Sequence, residues 1–428
     1  MIIPLTEAVA QTCGGKAGAL GTLLRAGLPV PDGFVVPFAA FPDPGLGRPG
    51  SRRAPDGRGA RPRPGDPAAA RQAIAARPLD AALIDALGRA LRGLGDPPVA
   101  VRSSAAGEDT GQASAAGQHE SFLAVRGAGE VAGAVRDCWA SLLSPRAVAY
   151  RDGEGASAEP VMAVIVQRQL DAEVSGVMFT PAGPGGATEI EASWGLGPSV
   201  VGGTVTPDSF RVAGDGTVTR TIADKRTRLD RHGTRLAVRD VPAGDRKRAA
   251  IDDATAARLA ALGAEIAGVL GGPQDIEWSI ADGRLWILQA RPITAALPPR
   301  PSPPDPPATA VVPAGAAELP AGSLTGTPGS RGTATGPARI VRGPGDFTRV
   351  RQGDILVCPF TDPAWTPLLR IAAGVVTETG GVLSHAAIVA REQAIPAVLG
   401  IPDATRTLHD GTLITVDGAT GTVTTTGE

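Results

Sequence analysis

The stretch from Val375 to Gly400 constrains the fold of this chain most. An apolar run before Thr377 predicts a strand, Gly380–Gly381 a tight turn, and residues 384–392 a short helix with His385 in its first turn. A histidine there lies near free backbone N–H groups and the positive end of the helix dipole, which both disfavour the imidazolium. We expect a neutral, nucleophilic ring near pH 7, whose neighbouring N–H groups can hold an attached phosphoryl group. The alternative is a histidine that only packs under the helix start.

The same stretch resembles the mobile phosphohistidine domain of the phosphoenolpyruvate-utilising enzymes. The matching residues are Thr-Gly-Gly-Val-Leu-Ser-His-Ala-Ala-Ile-Val-Ala-Arg-Glu at 379–392 and Ile-Pro-Ala-Val at 395–398. That family includes pyruvate phosphate dikinase, phosphoenolpyruvate synthase and rifampicin phosphotransferase. The resemblance implies that His385 carries a phosphoryl group between two distant sites. Leu383 takes the place of a regulatory threonine of the dikinases, so this form is more similar to the rifampicin phosphotransferase branch.

Composition narrows the class of protein. The 428 residues suffice for two or three domains, and a net charge of −2 does not suggest a nucleic-acid partner. No apolar run is long enough to cross a membrane, and the sequence does not start with a signal peptide. Cys13, Cys138 and Cys358 are widely spaced and follow no metal-binding pattern. We therefore expect reduced thiols and a cytoplasmic location.

Lysine is rare in this arginine-rich chain, which directs attention to Lys16 and Lys225. A lysine used where arginine is the default cation indicates a need for a compact ammonium. Gly14-Gly15-Lys16 precedes a predicted helix that ends near Gly27, and Lys16 near its start suits a phosphate contact. The spacing of a P-loop is absent, so a plain surface lysine is the alternative. We expect Lys225 near a phosphate as well.

A strand and a glycine-rich loop give the first nucleotide signal. Residues 99–101 predict a strand that leads to Arg102-Ser103-Ser104, and small residues then fill the loop to Gly117. Such loops let backbone N–H groups approach phosphates, although a flexible hairpin is the alternative. The segment resembles the nucleotide domain of the same family. That resemblance implies that Arg102, Gly117 and Ser121 face the phosphates and that the hinge from Gln167 to Leu170 binds adenine.

Residues 274–293 give the second strong signal. Asp275, Glu277 and Ser279 alternate with apolar residues, which predicts a strand with one polar face, and Asp282–Gly283 predicts a turn. By the family resemblance, Glu277, Gln289 and Arg291 hold Mg²⁺ and phosphate. Mg²⁺ takes oxygen ligands and shares them with nucleotide phosphates. The alternative is an ordinary exposed sheet face.

The magnesium assignment has a geometric condition. Glu277 and Gln289 share a face of the hairpin only if its loop has an odd length or a bulge corrects the register. A two-residue turn at Asp282–Gly283 without a bulge would place them on opposite faces.

The predicted fold class is multidomain, α/β and α+β. The resemblance implies an ATP-grasp nucleotide domain with two lobes at residues 1–295. Within it, the Pro-, Gly- and Arg-rich composition of residues 42–67 predicts a mobile loop. A proline-rich linker follows at 296–324, stiff and extended over its first part. A swivelling β/β/α phosphohistidine domain is expected at 325–428.

The implied reaction passes a phosphoryl group from MgATP to His385 and then to an acceptor. The resemblance favours the β-phosphate, with AMP and phosphate as the other products. Only the linker stands where family members carry an acceptor domain, so we do not expect pyruvate as the acceptor of this chain alone. Three hypotheses remain: a small-molecule acceptor such as an antibiotic or natural product, a phosphocarrier whose acceptor site lies on a separate subunit, and a non-catalytic nucleotide-binding regulator.

Overall fold

A computed structural model describes residues 2–42, 67–106, 121–144, 147–148, 160–183, 185–294, 297 and 323–425. Gly117, nearly all of the predicted mobile loop and most of the predicted linker lie outside these ranges. The chain forms two compact units, residues 1–201 with 207–294, and residues 202–206 with 295–428. The fold is therefore a mixed α/β multidomain fold, as predicted.

The secondary structure alternates short helices with many strands. The α-helices are α1 Ala10–Arg25, α2 Pro67–Ala76, α3 Ala81–Gly93, α4 Ala128–Ser141, α5 Pro198–Val201, α6 Asp253–Leu270, α7 Thr366–Leu369, α8 His385–Glu392 and α9 Ala404–Thr407. The 3₁₀ helices are Leu5–Glu7, Phe38–Ala40, Pro344–Arg349 and Pro363–Trp365. Strands of the first unit are β1 Ile3–Pro4, β2 Gly33–Val36, β3 Val99–Ala105, β4 Ser121–Val125, β5 Met162–Arg168, β6 Val174–Phe179, β7 Thr188–Trp194, β8 Asp208–Val212, β9 Val218–Thr221, β10 Thr227–His232, β11 Arg235–Asp240, β12 Gln274–Ala281 and β13 Arg284–Pro292. Strands of the second unit are β14 Leu324–Thr325, β15 Thr327–Ser330, β16 Thr333–Ile340, β17 Ile355–Cys358, β18 Gly374–Thr377, β19 Ala397–Leu399, β20 Leu413–Asp417 and β21 Thr422–Thr425.

The first unit contains two antiparallel sheets. One has the order β1-β2-β5-β3-β4 and the other the order β13-β12-β6-β7-β8-β9, while β10 and β11 form a separate hairpin. In the second sheet, Ile276 and Trp278 on β12 are fully buried in a core that α1 and α6 help to form. The opposite face of β12 carries Asp275, Glu277 and Ser279, which confirms the predicted polar face.

A kink at Gly14 sets the position of α1. Gly14 has φ 80°, and a Cβ there would lie 2.3 Å from the Ser104 carbonyl oxygen on β3. A residue with a side chain would therefore push the helix away from the strand. The helix ends at Arg25 and Gly27 has φ 79°, which confirms the predicted stop.

The second unit is built on one mixed sheet with the order β14-β21-β20-β16-β17-β18-β19-β15. The strands from β16 to β19 run parallel, and β17 and β18 are buried along their whole length. Such strands are covered on both faces, here by two core clusters, one of which contains α8. The strand and helix predicted around His385 are confirmed, and the turn lies at residues 381–384, one step after the predicted glycine pair.

Among the residues described, no helix has both the length and the apolar character that crossing a membrane requires.

Candidate functional site

Glu277 and Gln289 lie directly opposite each other on β12 and β13. Ala281 pairs with Arg284, so the turn at Asp282–Gly283 has two residues, both with positive φ. The register then shifts between Glu277 and Trp278, which leaves Leu288 as an extra residue in β13. This β-bulge meets the geometric condition derived from the sequence, so both side chains face the same side of the sheet.

Asp275 and Arg291 form the next row on the same face. They are cross-strand partners, and an Arg291 guanidinium nitrogen lies 2.7 Å from an Asp275 carboxylate oxygen. Both residues are buried, so the ion pair fixes the direction of Arg291. The sequence analysis placed Asp275 on this face but did not identify it as the partner of Arg291.

Arg102 connects the two sheets of the first unit. Its Nη1 donates to the carbonyl of Leu288 at 3.3 Å and lies 3.6 Å from a Glu277 carboxylate oxygen. Ser121 on β4 is its cross-strand partner, so Arg102 and Ser121 share one face of the first sheet. The predicted residues thus lie on two strand pairs, β3–β4 and β12–β13, which the hydrogen bond from Arg102 to Leu288 connects. They are Arg102, Ser121, Glu277 and Gln289.

Lys16 lies in the first turn after the α1 kink. The N–H of Ala17 donates to the Ser104 hydroxyl at 3.1 Å, so Ser104 caps the helix after Gly14. Ser104 and Arg102 are two residues apart on β3 and point to the same face. This arrangement brings the start of the helix, with Lys16, to the Arg102 side of the first sheet.

The predicted hinge lines a cleft in the first unit. Residues 167–170 form one wall, and the other lining residues include Arg102, Ser175, Ser279 and Leu288. The buried side chain of Gln167 donates to the Pro31 carbonyl at 3.1 Å. The Gln167 side chain therefore binds the loop at Pro31. A contact between the Gln167 main chain and a nucleotide stays a prediction.

The expectation that Lys225 contacts a phosphate is wrong. Lys225 is completely buried, and its Nζ donates to Asp208 at 2.6 Å. Asp208 also accepts from the N–H groups of Ala223 and Ala250, so this carboxylate is held by three donors. Lys225, one of the few lysines of the chain, therefore forms an internal ion pair.

The oxygen atoms of Glu277 and Gln289 suit a magnesium ion that shares its coordination with phosphates. Among the described residues, no group of three or more His, Cys, Asp or Glu side chains is arranged to hold a metal by itself. Mg²⁺ commonly binds through one or two carboxylates plus substrate phosphates and water, so the pair fits this use.

In the second unit, His385 is the first residue of α8 and is 5 % exposed. Its Nδ1 lies 3.0 Å from the Thr361 hydroxyl, and its Nε2 lies 3.4 Å from the Thr366 hydroxyl. A hydroxyl can donate or accept, so either neutral tautomer of the ring can be satisfied. The two threonines fix the orientation of the imidazole.

Sequence reasoning missed Thr361 and Thr366. A usable signal was present, because β17 and β18 are short, largely apolar runs of the kind found in parallel sheets. Neighbouring parallel strands end at the same edge of a sheet, and Thr361 and His385 both follow such strand ends. That pairing could be read from the sequence only after the strand order was known.

Comparison with protein families covers both units. Residues 64–302 match the family described as pyruvate phosphate dikinase, AMP/ATP-binding domain. Residues 350–421 match the mobile domain of the phosphoenolpyruvate-utilising enzymes. The first match holds the paired residues of β12 and β13, and the second holds His385 with its two threonines.

Individual related proteins point to the same family as the two family models. A "Probable phosphoenolpyruvate synthase" of Methanothermobacter thermautotrophicus is 36% identical over 96% of this chain and 61% of its own length. The phosphoenolpyruvate synthase of Aeropyrum pernix is 35% identical over 96% of this chain and 56% of its own length. That of Pyrococcus furiosus is 39% identical over 76% of this chain and 40% of its own length. The chain thus spans about three fifths or less of these relatives, and it belongs to the phosphoenolpyruvate-utilising enzyme family.

Proposed function

We propose that this chain is a phosphotransferase of the dikinase type, which moves a phosphoryl group from ATP to His385. The observation that carries the proposal is the pairing of Glu277 with Gln289 on one sheet face, beside Arg102 and the Asp275–Arg291 pair. These groups combine metal ligands with fixed cations, which is what phosphoryl transfer requires from a protein. The intact set argues against a non-catalytic regulator.

Each side chain has a definite task in this proposal. A bound Mg²⁺ would lie at Glu277 and Gln289 and neutralise charge on the nucleotide phosphates. Arg102, Arg291 and Lys16 stabilise negative charge on the same phosphates, and Ser121 donates from β4. A neutral His385 ring nitrogen attacks the β-phosphorus and breaks its bridge to the α-phosphate, so AMP leaves; water then cleaves the bridge to the γ-phosphate and releases phosphate. The N–H groups at the start of α8 hold the oxygens of the phosphoryl group that stays on the ring. AMP and phosphate are the expected other products.

The proposal assigns the first unit an ATP-grasp fold and the second unit a swivelling role. Two antiparallel sheets that enclose a cleft support the first assignment. The proline-rich sequence at 298–307 supports the second. The three cysteines are buried thiols that form no disulfide, which supports a cytoplasmic location.

The acceptor of the phosphoryl group is proposed from the names of the relatives. The relatives carry the name phosphoenolpyruvate synthase, which supports a phosphoenolpyruvate-type product over an antibiotic. Incubating the labelled protein with pyruvate or candidate small molecules, and identifying the labelled product, tests for a small-molecule acceptor. Incubating it with a cell extract tests for a separate acceptor subunit.

The experiment that tests the proposal uses ATP labelled separately at the β and γ positions. With Mg²⁺ and an alkaline quench, label from the β position is expected on the wild-type protein, together with AMP. The His385→Ala variant should lack this label. The control is His409→Ala, which replaces an exposed histidine of the same unit and should keep the label. Labelled His385→Ala protein would contradict the proposal.

A further inference from the structure

The hairpin of β10 and β11 stands apart from both sheets of the first unit. In the described part of the chain, its strands pair with each other and make one further bridge, between Leu229 and Gly195. A two-stranded hairpin alone is marginally stable in water. The position of this hairpin therefore depends on the contacts that attach it to the rest of the unit.

One contact attaches β10 to a wall of the hinge cleft, which is the cleft lined by residues 167–170. The N–H of Leu196 donates to the carbonyl of Leu229 at 2.8 Å, and Leu196 lines the cleft. Gly195 has φ 81°, and a Cβ there would lie 2.4 Å from that same carbonyl oxygen. The close approach of the strand to this wall thus requires a glycine at position 195.

A second contact attaches β10 to the hinge itself. The Arg231 guanidinium binds the Asp171 carboxylate at both oxygens, with Nε 2.6 Å from one oxygen and Nη2 donating to the other. Its Nη1 donates to the carbonyl of Gly233 at 2.8 Å, which fixes the orientation of the guanidinium. Asp171 lies between Leu170 and Ala172, which both line the cleft. Because a bidentate pair fixes direction as well as distance, Arg231 ties the hinge wall to the hairpin.

The turn of the hairpin reaches the first sheet. Thr234 lines a separate cleft of about 820 Å³ with residues 121–126, which include the whole of β4. β4 is an edge strand of the first sheet, whereas Leu196 follows β7 of the second sheet. The hairpin therefore connects elements of both sheets that line the hinge cleft.

The hinge cleft is narrow while these contacts are in place. Its open volume is about 40 Å³, whereas sites for small-molecule ligands commonly measure about 300–1,000 Å³. A nucleotide can therefore enter or leave this cleft only when a wall moves. The hairpin binds two of its walls, the hinge and the loop that contains Leu196.

We propose that the hairpin at residues 227–240 is a strap that gates nucleotide exchange, and that Arg231 is the positioning residue that attaches it to the hinge. This inference rests on the proposed function and extends it to the entry and release of nucleotides. Breaking the ion pair with Asp171 frees the hinge wall, while Leu229 still binds the other wall. The ion pair forms again over the bound nucleotide, so it slows entry and release alike and leaves the affinity unchanged.

Stopped-flow measurements with a fluorescent ATP analogue test the strap. In Arg231→Met, association and dissociation should both become about fivefold faster, with an unchanged dissociation constant. Asp171→Asn should have the same effect, and the double variant should be no faster than either single variant. Arg228→Met is the matched control, because its ion pair with Asp230 joins two residues of β10 and attaches the strand to neither wall. Its exchange rates should match those of the wild type.

A reversible lock should give the opposite result. In the Asp171→Cys/Arg231→Cys double variant, a short bis-thiosulfonate linker between the two new thiols should slow exchange about tenfold, and a reductant should restore it. The native cysteines at 13, 138 and 358 are buried, so the linker should react with the new thiols.

Equal exchange rates in Arg231→Met, Arg228→Met and the wild type would overturn the inference, as would a wild type that binds no nucleotide. Faster dissociation alone, with weaker affinity, would assign Arg231 to nucleotide binding and not to gating. The proposed function fails in a different way: the variants change the exchange rates as expected, and His385 never becomes labelled from ATP.

Discussion

Leu288 places Gln289 opposite Glu277, because it is the extra residue that β13 carries on the far side of a two-residue turn. Without this bulge, Gln289 would point into the apolar core that surrounds Trp278. The carbonyl of Leu288 also accepts a hydrogen bond from Arg102. One residue therefore corrects the register and anchors a cation of the neighbouring sheet.

Glu277→Gln should weaken magnesium-dependent ATP binding at least tenfold, because Mg²⁺ prefers a charged carboxylate oxygen. Gln289→Ala should act in the same direction with a smaller effect. The measurement is ATP titration by calorimetry, with Mg²⁺ and with a chelator. Glu265→Gln, an exposed residue of α6, is the control and should match the wild type. If ATP binds Glu277→Gln as tightly as the wild type in Mg²⁺, the metal assignment is wrong.

Thr361→Val should slow the labelling of His385 by about tenfold to a hundredfold without changing ATP affinity. Thr361 contacts Nδ1, so its loss changes the orientation of the ring and the relative stability of its two neutral tautomers. Thr361→Ser should restore the rate because it keeps the hydroxyl. Nitrogen chemical shifts of the ring should show the tautomer change in Thr361→Val alone. Unchanged shifts with a reduced rate would indicate a purely structural role.

Lys225→Met should destabilise the first unit by about 3–5 kcal/mol, because it leaves the buried Asp208 carboxylate without its cation. The measurement is the free energy of unfolding from urea denaturation. Arg220→Met is the matched control: its ion pair with Asp253 also spans 2.6 Å but is about half exposed, so its loss should cost less than about 1 kcal/mol. Similar small effects from both variants would contradict the structural role of Lys225.

Acid should weaken the second unit through Asp410. Burial alone would raise the pKa of Asp410, but the Ile340 N–H and the charges of Arg339 and Arg349 outweigh it, so the pKa lies below its ordinary value of 3.8. A lowered folded-state pKa gives stability that is present above about pH 4 and is lost as the pH falls toward the folded value.

Asp410→Asn should therefore flatten the fall in melting temperature as the pH drops below about 4. Asp403→Asn, whose ion pair with Arg406 is exposed, is the control and should keep the wild-type slope. A wild-type slope in Asp410→Asn would show that other carboxylates govern the acid response.

The sequence could predict those features that depend on local pattern. The alternation of Asp275, Glu277 and Ser279 predicted the polar face of β12, and the apolar run and glycine pair before His385 predicted the strand and the helix. The register condition for Glu277 and Gln289 was also derivable, because it depends only on the count of residues between them. The position of the bulge was not, since hydrogen bonds to neighbouring strands decide it.

Contacts between distant segments were beyond the sequence. The scarcity of lysine drew attention to Lys225, but only the fold shows that its ammonium forms a buried ion pair with Asp208. The bond from Thr361 to His385 requires the parallel order of β17 and β18. Ser279, Ser175 and Ser193 become neighbours only when three strands are aligned, and each serine alone is an ordinary strand residue.

The attachment of Arg102 to Leu288 and Glu277 affects when its conformational entropy is lost. An arginine side chain carries about 2 kcal/mol of rotamer entropy. Because oxygens of the protein itself hold this guanidinium, that entropy is lost during folding and not during ligand binding. A phosphate that meets Arg102 therefore meets a donor already confined to one direction, and more of the contact energy is available for affinity.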